Sequence, residues 1–119
     1  MPRGEDHSLN QVQLSDFDID HQLLELSGIS LVIFTSVGCS SCRWARQQLP
    51  HMHLPIDRLC WIDAEENGGA VQRYEVFHLP ALFVVRDGFF FGSLHTTMTA
   101  DGLVGALERA LGNVPDELP

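Results

Sequence analysis

The 119-residue sequence contains no lysine, and its seven basic residues, all arginine, stand against sixteen acidic ones for a net charge of −9. A chain this acidic repels phosphate backbones, which argues against nucleic acid as a partner. No uninterrupted apolar run reaches membrane length, which argues against a transmembrane helix. The opening Met1-Pro2-Arg3-Gly4-Glu5-Asp6-His7 has no apolar stretch of signal-peptide length behind it. The expected location is therefore cytoplasmic. Cysteine is scarce, three in all, and in a reducing compartment three cysteines do not make a structural framework. What remains, 45% hydrophobic and 19% charged residues, is ordinary globular composition and enough for one domain with its own core.

Two of the cysteines carry chemistry by their placement. Leu31 to Phe34 is an apolar run that reads as a buried strand, and a short polar turn leads into Cys39-Ser40-Ser41-Cys42 at the start of a helix. Backbone N–H groups at a helix start lack partners and favour negative charge. A thiol placed there ionises more easily, and the thiolate is the nucleophile of disulfide exchange. Cys42, three residues on, shares a helical face with Cys39 and can close a disulfide with it. Half of a zinc site is the alternative. His51 and His53 would have to supply the second ligand pair, roughly 13–20 Å away along a straight helix.

Around this centre the pattern predicts an α/β chain. Gln11–Leu14 is a candidate edge strand. Ser15 is a candidate N-cap with Asp16 and Asp18 in the first helical turn, a stripe of Phe17, His21 and Leu24, and Gly28 as the stop. The cysteine-bearing helix should end near Leu49, before Pro50. Leu59–Ile62 reads as a buried strand, followed by a weakly started helix at Asn67-Gly68-Gly69 whose face would be Val71, Tyr74 and Phe77. Ala81–Val85 and Phe89–Leu94 form a hairpin through Asp87-Gly88. Thr99 caps a last helix with the stripe Leu103, Ala106, Leu107, Ala110 and Leu111. The expected layout is a flexible segment at 1–8, one domain at 9–112 and a tail at 113–119.

With Cys39-x-x-Cys42, Asp63-Ala64-Glu65-Glu66-Asn67, Tyr74-x-Val76, Leu79-Pro80 and Asp87-Gly88 in this order and spacing, the chain from Leu9 to Leu111 resembles the thioredoxin family. The resemblance implies the thioredoxin fold, a central mixed sheet with helices on both faces. It implies a cis peptide bond before Pro80, Cys39 as attacking thiol and Cys42 as resolving thiol. It further implies a substrate groove of Gly38, Ser40, Ser41, Leu79, Pro80 and Thr96, and the exchange of electrons with disulfide-containing proteins. Reducing power would come from a thioredoxin-reductase-like flavoprotein or another dithiol, with no bound cofactor and a part in cell redox homeostasis.

Departures from the pattern shape that expectation. Ser40-Ser41 replaces the frequent Gly-Pro, and serine keeps an N–H and adds a hydroxyl that could stabilise a Cys39 thiolate. Gly38 replaces a tryptophan and opens the surface; Thr96 replaces a glycine that gives substrates backbone room. The family's buried carboxylate falls on Ile33 and its accompanying lysine on Trp61, so both members of an ion pair are apolar. Cys42 should then sit against apolar groups, its pKa raised above about 8.5. An adaptor or chaperone using the groove near Pro80 with little turnover is the competing function. Cys60 reads as inert core. Arg43 is placed either to add positive potential near the thiolate or to face solvent. Strand alternation leaves at least one of Phe89, Phe90 and Phe91 outward, so a monomer with weak self-association through that patch is expected.

Overall fold

The computed structural model describes residues 7–119. Ile29–Thr35 (β2) is the middle strand of a five-stranded sheet. Six of its seven residues are buried, as an apolar, β-branched run covered on both faces requires. Arg58–Asp63 (β3) pairs parallel to it on one side and Ala81–Arg86 (β4) antiparallel on the other. Asn10–Leu14 (β1) pairs parallel with β3 at one edge and Phe89–Leu94 (β5) antiparallel with β4 at the other. Helices Ile19–Glu25 (α1) and Gly68–Arg73 (α3) cover one face; Ser40–Gln48 (α2) and Ala100–Leu111 (α4) cover the other. This is the mixed sheet with helices on both faces that the sequence predicts.

Period-two alternation divides the core. Leu31, Ile33, Leu59 and Trp61 point to the α2–α4 side, where they meet Ala45, Leu49, Leu103 and Leu107. Val32, Phe34, Cys60 and Ile62 point to the α1–α3 side against Ile19, Leu23, Ala70 and Tyr74. Cys60 is therefore core, wholly buried, and burial pushes its thiol up from the ordinary cysteine range. Thr99 caps α4 as expected, accepting the Gly102 N–H at 3.1 Å.

Three local expectations are corrected. Ser15 does not cap α1: its N–H donates to Asp18 Oδ1 at 2.8 Å in a turn, and the helix starts only at Ile19. The later start rotates the buried stripe to Ile19 and Leu23, leaving Phe17 99% and Leu24 61% exposed. Asp16 is not in the first turn of α1 either. It crosses to α3, whose N–H groups at Ala70 and Gly69 donate to its carboxylate at 2.7 and 3.1 Å. A Cβ at Gly69 would stand 3.2 Å from that carboxylate, so a larger residue there would make the Asp16 side chain give way by a few tenths of an ångström. Asn67, the N-cap residue of α3, makes no side-chain cap; it accepts the Asp16 N–H and donates to the Asp63 carbonyl. Finally, α3 stops at Arg73, so Phe77 lies beyond it and is 86% exposed, while Ala70 and Tyr74 make the buried face.

At the β4–β5 hairpin the register steps from Val85–Phe90 to Val84–Gly92, a bulge that leaves Phe91 as the extra residue. Phe91 is buried, Phe90 half-buried, and Phe89 faces outward. Residues 113–119 return along this edge: Phe90 and Asp116 exchange backbone hydrogen bonds of 2.8 Å in both directions, and Leu118 packs on the core. At the other end, the flexible start expected for 1–8 falls largely outside the described residues. His7 donates from Nε2 to the Met52 carbonyl at 2.8 Å and stacks on His53.

Candidate active site

The site begins where β2 ends. After Thr35 the chain turns through Ser36–Cys39, closed by the Cys39 N–H donating to the Ser36 carbonyl at 3.3 Å. Cys39 is then the N-cap of α2, extended at φ −96°, ψ 115°, and its sulfur accepts the Cys42 N–H at 3.1 Å. Sulfur here does what a serine or aspartate oxygen does at other helix starts. The N–H that reaches Cys39 belongs to Cys42, while Ser40 and Ser41 stand exposed in the first turn. A side chain at Gly38 would meet nothing within 4 Å, so the surface before Cys39 is open. Arg43 turns back over this loop and donates to the Val37 carbonyl at 3.0 Å.

The two thiols differ in surroundings. Both are free, Cys39 half-buried and Cys42 1% exposed. Burial pushes the Cys42 thiol up to about 11, helped by its hydrogen bond with Cys39 and by that neighbour's charge. A backbone hydrogen bond from Ser36 and the Arg43 guanidinium pull weakly the other way. Ile33 and Trp61, on the face that α2 covers, are direct register partners and fully or nearly fully buried. Trp61 donates its indole N–H to Gln11 Oε1 at 2.9 Å, and the Arg46 guanidinium lies 4.4 Å from its ring centre.

The remaining groove residues come from the antiparallel half of the sheet. Phe34 pairs with Ala81 and Leu82 with Leu94. Extending those registers puts Thr35, Pro80 and Thr96 in one row at the sheet edge from which α2 departs. The Leu79–Pro80 peptide bond is cis, as the resemblance implies.

A cleft of about 290 Å³ opens beside the buried thiol, lined by Thr35, Ser36, Cys42, Arg43, Arg46 and Asp63 among others. Asp63 was no candidate on the sequence. The signal was there, because alternation along β3 carries residue 63 to the face of residue 61. A larger cleft of about 560 Å³ lies between the Glu75–His78 connection and β5 and includes neither cysteine. Among the described residues no three His, Cys, Asp or Glu side chains gather as a metal site, and no helix is long and apolar enough to cross a membrane.

No protein-family model matches the chain. It is 32% identical over 107 residues to protein disulfide-isomerase A3 of Gallus gallus, covering 85% of this chain but only 21% of that protein. It is 30% identical over 80 residues to the thioredoxin of Staphylococcus epidermidis, covering 65% of this chain and 75% of that one. The thioredoxin-like domain of Arabidopsis NCP superposes with a TM-score of 0.75 over 97% of this chain and 94% of that one, at 15% identity. The last establishes shared fold alone. Together with the paired cysteines at the head of α2, the Staphylococcus relative establishes that the chain belongs to the thioredoxin family.

Proposed function

We propose that the chain is a thiol–disulfide oxidoreductase that exchanges a Cys39–Cys42 dithiol with disulfides of protein substrates. The observation that carries this reading is the 3.1 Å approach of the Cys42 N–H to the Cys39 sulfur at the head of α2. The half-buried Cys39 meets the substrate, and the amide of Cys42 already points at the sulfur that carries negative charge during attack. Cys42, buried one turn below, then resolves the mixed disulfide. Gly38, Ser40, Ser41, Leu79, Pro80 and Thr96 form the groove that receives the substrate, within a domain spanning 9–112. The relatives support disulfide-exchange chemistry in general. The finer reading is a cytoplasmic reductase of protein disulfides in redox homeostasis, recharged by a reductase-like flavoprotein or another dithiol and needing no bound cofactor.

Limiting iodoacetamide near neutral pH, followed by mass mapping, tests the order of the thiols. Cys39 should label first, and wild type but not Cys42→Ser should reduce protein disulfides through repeated turnovers. First labelling of Cys42 or Cys60 would remove the mechanism.

A binding role without turnover is the second reading, favoured by the apolar Ile33–Trp61 pair and by Thr96 in the groove row. It requires that Cys39→Ser, Cys42→Ser protein still capture a reduced polypeptide while wild type shows no reductase turnover.

A further inference from the structure

Resolution of a mixed disulfide needs a proton taken from Cys42, whose thiol is buried and hydrogen-bonded to Cys39. The core beneath offers no acceptor: Ile33, Trp61, Ala45 and Leu49 are all buried on that side. The cleft beside Cys42 is different. It holds one carboxylate, that of Asp63, facing Thr35 across the β2–β3 ladder. Alternation puts Asp63 on the same face as Trp61, two residues or about 6.6 Å further along the strand. Its Oδ1 accepts the Glu65 N–H at 2.9 Å and its carbonyl accepts from Asn67 at 2.8 Å. The backbone of this acidic turn is therefore held, and Oδ2 accepts no hydrogen bond among the described residues. The cleft, about 290 Å³, has room for water between the two groups, with Asp63, Ser36 and Thr35 among its lining as polar partners.

We propose that Asp63 is the proton acceptor for Cys42, acting through water in this cleft, and so supplies from the end of β3 what the apolar core at Ile33 does not. The inference rests on the disulfide-exchange reading above. In the step, the Cys42 sulfur attacks Cys39, the Cys39–Cys42 bond forms, and the bond from Cys39 to the substrate sulfur breaks. The substrate sulfur leaves with the electron pair. The Cys42 proton passes through water to Asp63 and from there to the departing thiolate or to solvent. Two thiols of the protein are oxidised and the substrate disulfide is reduced. The cleft's charged groups are Asp63, Arg43 and Arg46; the two guanidiniums hold no proton that could be exchanged near neutrality.

The reduced full-length chain mixed with a symmetric aromatic disulfide, whose released thiolate is coloured, separates attack from resolution. The first equivalent of colour reports attack by Cys39, the second resolution by Cys42. Because the aromatic thiolate leaves without protonation, the second phase reads deprotonation of Cys42. Asp63→Asn keeps an Oδ1 to accept the Glu65 N–H, so the turn should persist. The first phase should be unchanged and the second about a hundredfold slower, the lower end of what a positioned base supplies. Asp63→Glu should recover most of the rate. The second phase should be nearly flat with pH around neutrality in wild type and should rise about tenfold per pH unit in Asp63→Asn, where hydroxide must do the work. A purely electrostatic or structural role predicts the opposite or nothing. Removing a negative charge near Cys42 favours its thiolate and speeds the second phase. A second phase in Asp63→Asn as fast as or faster than wild type overturns the inference. Absence of the first phase in wild type overturns the disulfide-exchange reading and this inference with it.

Discussion

Ile33 and Trp61 are direct partners in the parallel β2–β3 ladder, one 0% and the other 1% exposed. They are the two positions where the thioredoxin pattern places an ion pair, and here they make an apolar contact instead. Replacing an ion pair by packed apolar groups keeps the core free of unpaired charge.

Restoring only the acid should therefore be costly. Ile33→Asp buries a carboxylate with Trp61 opposite it, and the expected loss is about 3 kcal/mol or more at neutral pH. Desolvation raises the pKa of a buried carboxyl above its unfolded value. The penalty should thus shrink as pH falls from that raised value toward the unfolded value of about 3.9, and level off below it, where the group is neutral in both states. Urea titrations of both proteins from neutral to acid pH measure it. With Asp63 intact, the variant should gain little in resolving rate; in an Asp63→Asn background it should restore rate.

Cys42 predicts a loss of stability in alkali. Its thiol is pushed from about 9.0 unfolded to about 11 folded. Between these values the unfolded chain loses a proton that the folded chain keeps, so stability falls as pH rises through the window. Cys60 and Tyr74, both raised by burial, act in the same direction. Cys42→Ala should flatten the fall between about pH 9 and 11 without abolishing it. Chemical denaturation at stepped pH checks this, and equal slopes would contradict it.

Much of the fold was legible because its signals are local. Leu31–Phe34, Ala81–Val85, Asp87-Gly88 and the Thr99-capped stripe each combine an apolar period with a turn or cap residue a few positions away. The cysteine pair at the start of α2 was legible for the same reason. What was misread depends on contacts distant in sequence. Asp16 reads as part of its own helix because nothing nearby announces that it bonds to Gly69 and Ala70, 53 and 54 positions on. Moving the start of α1 from Ser15 to Ile19 rotated its buried face and put Phe17 into solvent. In the sequence Asp63 is only part of a family signature, and its cleft emerges only when β3 is laid beside α2.

Residues 113–119 are predicted to keep the β5 edge from pairing with another chain. Asp116 occupies the backbone groups of Phe90, and Leu118 packs on the same side of the sheet. Deleting 113–119 would leave a strand edge unpaired beside the outward Phe89. Sedimentation should show concentration-dependent association of the truncated chain, and Phe89→Ser should reduce it. A truncated chain that stays monomeric would count against this edge as an assembly surface.

Asp16→Ala should cost about 1–2 kcal/mol, since it strips two N–H acceptors from the start of α3. Asp16→Asn, which can still accept, should lose less. Thermal unfolding of the three proteins gives the ranking, and an unperturbed Asp16→Ala would show that water replaces the carboxylate without cost.

The borrowed cap of α3 also bears on the order in which the molecule comes apart. A six-residue helix that opens with two glycines cannot nucleate alone, and its first turn is held by a side chain from the β1–α1 turn. The two segments should accordingly open as one cooperative unit, their amides exchanging hydrogen with solvent together. β2 and β4, paired across the middle of the sheet, should exchange only on global unfolding. Because Asn67 links the same cap to Asp63 through its bond to the carbonyl, that opening would also release the acidic wall of the Cys42 cleft.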